Sequence, residues 1–320
     1  MDGVRQFAEQ IAEEIKGYFP RKYQDVRCEV EENQKNNSVC RVGIRFWKPG
    51  ERVSPAIYME YYYDHHRSGK PMDEIMRDIV SELERGYELG RKFPADGLGE
   101  YEQMKGLVEP VLVNAKVNRE MLQRNPHIIM EDLAVVFQVV CRVETGKLCT
   151  PVKDEHLEEW GIGKEQLYEQ AFKNVQESGE YTLYGLDDCI EGILKGQQPE
   201  EDFLMAPECF VSDNQETYIL TNRDVSCGAV AVACPDVMEK VCRLFPDGFY
   251  ILPSSIHECM IVSKGKGLGV KELEKMVCEI NYRQVEPEER LSDHVYEYDR
   301  EKKSIRLAAK ELDKERGMER

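Results

Sequence analysis

"VRCEVEENQKNNSVCRVGIRFWKPG", residues 26–50, decides the fold class. Val26, Cys28 and Val30 alternate with polar residues, and "NQKNNS" then supplies a turn. Cys40, Val42, Ile44 and Phe46 alternate again before a second turn at "KPGE". Successive strand side chains point to opposite faces, so this period of two predicts antiparallel strands with one buried face. Working outward, Ile57, Met59 and Tyr61 carry the period into a third strand. On the N-terminal side Phe7, Ile11, Ile15 and Tyr18 share one face of a helix over 5–18. On the other side Met72, Ile75, Met76, Ile79, Leu83 and Tyr87 predict a helix over 72–90. Residues 1–95 therefore read as a helix–three-strand meander–helix unit, both helices covering one sheet face.

"KFPADGLGEYEQMKG", residues 92–106, reads as a connection. Strands are expected at 107–117 and 133–143, the second ("LAVVFQVVCRV") apolar enough to be central. Between them "NREMLQRNP" is a short helix or turn stopped by Pro126. Helices are expected at 154–160 and 164–177, the latter with Leu167, Ala171 and Val175 inward, and a short one at 186–195. The last third predicts a strand at 217–221, a helix at 235–244 and a strand pair around 250–262. A helix over 270–281 follows, with Leu273, Met276, Val277 and Ile280 on one face, and then a hairpin pairing "HVYEY" with "SIRLA". The whole is α+β: an antiparallel meander flanked by helices, a larger mixed α/β region over 96–310, and a charged tail at 311–320.

Composition limits the functions. The 320 residues carry a net charge of -18, with 41% hydrophobic and 32% charged residues, as in a folded soluble protein. Nucleic-acid affinity rests on Lys and Arg neutralising phosphates, so this acidity disfavours a DNA or RNA binder. Anionic membrane surfaces are disfavoured by the same repulsion. "LAVVF" and "GAVAVAC" are too short to span a bilayer, and "MDGVRQFAEQIAEEIKGYF" lacks the apolar core of a signal peptide. Eleven cysteines without a CxxC pair, including Cys28, Cys141, Cys242 and Cys278 within apolar patterns, read as free buried thiols of a reducing cytoplasm.

The densest chemistry lies in "YILPSSIHECMIV", residues 250–262, where the catalytic candidates are Ser254, Ser255, His257 and Glu258. In a regular strand Ser255, His257, Cys259 and Ile261 share one face, and Glu258 points away with Ile256. A nucleophilic serine needs a base, an orienting acid and an oxyanion hole, and no G-x-S-x-G elbow is present. "HECMI" lacks the second histidine of H-E-x-x-H. The structural alternative is a corner, where Pro253 ends one strand and the serine hydroxyls satisfy backbone groups. The nearest second histidine–acid cluster in sequence is Asp293–His294 in "LSDHVY".

Three other motifs read as structural. "YYYDHH" at 61–66 lacks the further aspartates and histidines of a metal phosphoesterase. "KGKGLG" at 264–269 precedes a helix but fits neither phosphate-loop pattern. Trp160 reads as a buried anchor between two helices, with Gly161 and Gly163 forming the corner. No cofactor and no metal are expected.

Several strings carry a resemblance: "HIIMEDLAVVFQVV", "EEWGIGKEQLYEQAFKNV", "FYILPSSIHECMIV" and "ELEKMVCEINYRQVEPEERLSDHVYEYD". Together they resemble the uncharacterised bacterial proteins, mostly of Firmicutes, grouped as domain of unknown function 5688. More distantly, the helix–"WG"–helix–"NV" passage is similar to the YtpQ-like group. Neither resemblance implies an activity, ligand or site residue; both imply a bacterial cytoplasmic protein. The expectation is a non-catalytic binding or regulatory protein acting through protein contacts. The alternative is a hydrolase or transferase with its site at Pro253–Glu258.

Overall fold

Helix α1 (Asp2–Glu14) opens the chain, followed by strands β1 (Arg27–Gln34), β2 (Cys40–Trp47) and β3 (Ala56–Tyr58). The computed structural model describes residues 2–51, 53–91, 98–143, 146–178, 181–197, 199, 202–205, 216–265 and 268–309. The three strands form an antiparallel sheet in the order β1-β2-β3. Its register pairs Val30 with Ile44 and Cys28 with Phe46, which sets the alternating apolar residues on one face. Phe7, Ile11 and Ile15 meet Val42, Ile44 and Phe46 in one buried cluster, completed by Ile75, Ile79, Leu83 and Tyr87. Each such side chain withdrawn from water contributes about 1.5–3 kcal/mol.

The third strand is shorter than the alternation predicts. Glu60 begins helix α2 (Glu60–Arg67), which carries Tyr61 and all of "YYYDHH". The Val42 N–H donates to Glu60 Oε1 at 2.7 Å, so a side chain takes the bond that a longer β3 would have supplied. His66 stacks on Phe7 and His65 lies on Tyr61, which makes both packing residues. Helix α3 (Met72–Arg91) closes the unit as its spacing predicts. Of the predicted connection, residues 92–97 lie outside the described residues; it ends in the short helix α4 (Tyr101–Met104).

The chain divides into two compact units, Met1–Leu107 with Val139–Thr150, and Val108–Gln138 with Pro151–Arg320. From here the elements are β4 (Val108–Asn114), α5 (Arg119–Leu122), β5 (His127–Met130), β6 (Leu133–Val143) and β7 (Gly146–Pro151). They form a sheet in the order β4-β6-β5, with β7 also on β6. Helices α6 (Asp154–Trp160) and α7 (Lys164–Ser178) are joined by Gly161, whose φ of 66° is a left-handed helix stop that glycine tolerates. Trp160 is half-buried rather than enclosed, its ring tilted against His156.

Next come β8 (Tyr181–Gly185), α8 (Leu186–Lys195), β9 (Thr217–Asn222), α9 (Pro235–Leu244), β10 (Phe249–Leu252) and β11 (Cys259–Ser263). Helix α10 (Val270–Gln284) and the hairpin β12 (Tyr296–Asp299) and β13 (Ser304–Leu307) complete the chain. The strands build a six-stranded sheet in the order β13-β12-β10-β11-β9-β8. Leu273 and Val277 of α10 pack on Leu252 and Val262 of this sheet. The charged tail at 311–320 lies outside the described residues.

The expected burial of the cysteines is corrected. Cys278 is exposed, while Cys28, Cys141 and Cys242 are half-buried; only Cys234 and Cys259 are buried among the described cysteines. An apolar sequence pattern around a cysteine does not fix which face of its helix or strand is covered. Among the described residues no helix is long and apolar enough to cross a membrane.

Candidate functional site

Strand β10 ends at Leu252 and β11 begins at Cys259, so residues 253–258 are not part of a strand and strand alternation does not apply to them. They run instead against residues 289–292. Ser292 N donates to Pro253 O at 3.1 Å, Leu291 N to Ser254 O at 3.0 Å, and Ile256 N to Glu289 O at 2.8 Å. Ser254 and Ser255 are buried, 6% and 4% exposed. Ser255 Oγ accepts the His257 N–H at 3.0 Å, a side-chain turn that holds the corner.

The His257 ring is engaged at both nitrogens. Nδ1 accepts the Cys227 N–H at 3.3 Å, and Nε2 lies 3.1 Å from Glu289 Oε1. A backbone donor at Nδ1 places the neutral ring's proton on Nε2, where it is donated to the carboxylate. Neither serine hydroxyl contacts the ring in these bonds. Burial raises the carboxyl of Glu258 above its usual range, Glu289 adds to this and His257 opposes it. The apolar run Gly228–Ala233, wholly buried, packs behind the corner, with Ala229 N donating to Ile256 O.

Gly228 is required there. A Cβ on it would lie 2.5 Å from Asn222 N, 2.7 Å from Thr221 Oγ1 and 2.8 Å from His257 O. Thr221 Oγ1 also donates to His257 O, which ties β9 to the same corner. The buried thiol of Cys259 is pushed well above the usual thiol range, and burial raises Cys28 and Cys189 to about 11, so none of the three offers a thiolate nucleophile.

The segment that lines this corner continues into a second polar cluster. Its centre is Asp132, 6% exposed, in the two-residue turn between β5 and β6. Tyr296 donates its hydroxyl to Asp132 Oδ1, and Tyr296 and Ser292 hydroxyls are 2.8 Å apart. Ser292 Oγ lies 3.4 Å from Asp132 Oδ2. Burial, then the bond to Asp132, pushes the Tyr296 hydroxyl far above the phenol range, so it stays a proton donor. His294 Nε2 and Lys116 Nζ each lie 3.7 Å from Asp132 Oδ2, and His294 Nδ1 is 3.6 Å from Glu274 Oε1. Asn281 on α10 donates to Ser292 O and Asp293 Oδ1 and fixes the segment that presents these groups.

Asp132 also forms the floor of an open hollow of about 400 Å³. Lys116 and Arg119 on one side and Glu131 and Asp132 on the other supply its charge, and Leu122 and Ile129 its apolar wall. Arg119 is exposed and its guanidinium has no hydrogen-bond or ion-pair partner among the described residues. Ile129 is 54% exposed. Glu131, beside Asp132, has a φ of 60°, a conformation that favours glycine. Backbone strain of this kind is retained where surrounding contacts over-determine it.

Sequence reasoning singled out Ser254, Ser255, His257 and Glu258 and identified no second cluster beside them, Asp293–His294 being only the nearest candidates in sequence. The structure does set the segment 289–294 alongside, but the acid that meets His257 is Glu289, and His294 meets Asp132 and Glu274. Asp132, Tyr296, Ser292, Lys116 and Arg119 were not anticipated. The available signal was "MEDL", two acids between apolar runs in "HIIMEDLAVVF", which marks a tight turn. At "KGKGLG" the α10 N-terminus is occupied by its own Glu272, whose Oε2 accepts the Gly269 N–H at 2.9 Å; residues 266–267 lie outside the described residues. Among the described residues no group of three or more His, Cys, Asp or Glu is placed to hold a metal ion.

The family of unknown function DUF5688 matches residues 4–300. No curated protein and no solved structure matches the chain.

Proposed function

We propose that this chain, which belongs to the DUF5688 family of unknown function, is a non-catalytic binding or regulatory protein that meets a protein partner at the hollow beside Asp132. One observation carries the reading: the groups able to do chemistry are consumed internally, whereas the hollow is open and its Arg119 uncommitted. Ser254, Ser255, Ser292 and Tyr296 are buried, and both nitrogens of His257 are engaged. We place the protein in a bacterial cytoplasm, on the support of its free cysteines and the acidic chain.

The test is photocrosslinking in the native host. p-Benzoylphenylalanine in place of Ile129 or Gln123, both lining the hollow, should capture the same protein from either position. The same probe in place of Tyr61, 60% exposed on α2, serves as the control and should not. Products no different from that control would sink the proposal.

A second reading, a hydrolase or transferase around Pro253–Glu258, is favoured by the 3.1 Å contact of His257 with Glu289, an imidazole–carboxylate pair that is partly open to solvent. Screening the full chain on ester, amide and phosphoester substrates tests it. Any activity found should fall at least about a hundredfold in His257→Ala; activity untouched by His257→Ala and Ser255→Ala lies elsewhere.

A further inference from the structure

We infer that His257 is a pH-sensitive latch: its neutral ring holds the loop 223–227 in place, and protonation of the ring releases it. The latch goes beyond the proposed binding role, and only its reach into the hollow rests on that role. The loop joins β9 to the buried run Gly228–Ala233. Asn222 clasps Ser226 through its side-chain amide, accepting the Ser226 N–H at 2.9 Å and donating to Ser226 O at 2.8 Å. The Val225 N–H reaches Asn222 O at 3.0 Å, and the Cys227 N–H is given to His257 Nδ1 at 3.3 Å.

This loop stores backbone strain. Val225 has a φ of 46° and Cys227 a φ of 58°. Residues other than glycine rarely take this left-handed conformation, and a β-branched side chain such as that of Val225 opposes it most. Such conformations persist while surrounding contacts over-determine them. Withdrawing one of those contacts favours relaxation.

His257 is the contact that protons can withdraw. An imidazole nitrogen accepts an N–H only while it carries no proton of its own. In the charged ring Nδ1–H faces the Cys227 N–H, donor against donor. The other side of the ring gains at the same step: Nε2 lies 3.1 Å from Glu289 Oε1, and charge strengthens that bond. Glu258 interacts with the same charge from the next position in the chain. Of the other charged groups nearby, Arg290 donates its Nε to Val285 O, and Arg223 and Asp224 on the loop are exposed. The run Gly228–Ala233 behind the corner carries no charge. Protonation therefore anchors the ring to the acids and expels the loop. The side chain is 27% exposed, so protons from solvent reach it.

Release does not stop at the corner. Cys227 packs against the cluster of Val111, Val113, Leu122, Ala134 and Val136, and Leu122 lines the hollow. Departure of the loop removes support from behind that wall.

The test is NMR of the intact, isotope-labelled protein from about pH 8 to about pH 5, a range that spans imidazole titration. The amide resonances of Val225 and Cys227 should move with the same midpoint as the His257 ring nitrogens, and the Leu122 methyls should follow. His257→Asn keeps an acceptor near the place of Nδ1 but does not titrate, so the loop should hold its pH 8 resonances throughout. His257→Ala should show the acid form already at pH 8. Glu289→Gln removes a carboxylate that favours the charged ring and should lower the midpoint by about 0.5–1 pH unit. Glu258→Gln should leave a transition in place.

Loop resonances that stay flat while the ring titrates would overturn the latch, and so would a transition that survives His257→Asn. Loss of the transition in Glu258→Gln would overturn it too, by assigning the release to that carboxyl. Movement of the loop with Leu122 unmoved would overturn the reach into the hollow. None of these readouts uses a partner, so they are decided apart from the crosslinking that tests the binding role.

Discussion

The corner at 253–258 and the turn at 130–133 are both short polar links between strands of the same unit, yet they handle their polar groups in opposite ways. At the corner the bonds run mainly to backbone: Ser255 Oγ to His257 N, His257 Nδ1 to Cys227 N, and the main chain to residues 289–292. At the turn, side chains bond to side chains around Asp132, and one side is left open as a hollow. Buried polar groups are expected to be satisfied in either case. The contrast teaches that a high density of serine, histidine and acid in sequence is not a measure of available chemistry. Unused bonding capacity beside open space is.

The comparison breaks hardest at Gly228. If the corner is a fitted backbone joint, Gly228→Ala forces apart Asn222, Thr221 and His257, all backbone or short side chain, and little can move out of the way. The expected loss is about 3 kcal/mol of unfolding free energy, in the range of overpacking at a close backbone approach. Equilibrium urea unfolding measures it. A loss below about 1 kcal/mol would show the joint to be compliant, which the bonds to His257 argue against.

Next in size is the side-chain cluster. Asp132→Ala strands the Tyr296 and Ser292 hydroxyls in the interior and should cost about 2–3 kcal/mol. Tyr296→Phe removes one donor and should cost about 1–2 kcal/mol. Because the two groups bond directly, the double variant should lose less than the sum of the single ones, with coupling of about 1 kcal/mol in a double-mutant cycle. Strict additivity would mean that Asp132 is held by Lys116 and His294 rather than by the tyrosine.

Most elements were legible where apolar period and turn residues agreed, as in β1, β2, α3, α7, α10 and the β12–β13 hairpin. The failures share a cause: the deciding partner is distant in sequence. Tyr61 continues an alternating pattern, but the Val42 N–H donates to the Glu60 side chain, and the strand ends before Tyr61. Strands β5, β7 and β8 were not anticipated, and β5 holds the exposed Ile129. The four residues singled out at 254–258 were visible because they lie within five positions of one another. Asp132, Lys116, Ser292 and Tyr296 come from three separate segments, and the last is brought into place by the pairing of 253–256 with 289–292, by β12 on β10 and by Asn281.

The smallest expected effect separates the two regions by pH. Glu258 has its carboxyl raised by burial in the corner, with Glu289 adding to the shift. A raised carboxyl means that the folded state binds the proton more tightly than the unfolded chain. The ionised group therefore destabilises the fold at pH values above its folded pKa. That penalty fades as pH falls towards the ordinary value of 4.5, and is absent once both states are protonated. Glu258→Gln removes an ionisable group while keeping its size, so its melting temperature should exceed that of the parent at pH 8. The two should converge below about pH 4, since protonation then does for the glutamate what the amide does permanently. Scanning calorimetry across that range checks the sign. A variant less stable at pH 8 would mean that the charge of His257 holds the carboxylate more firmly than burial opposes it.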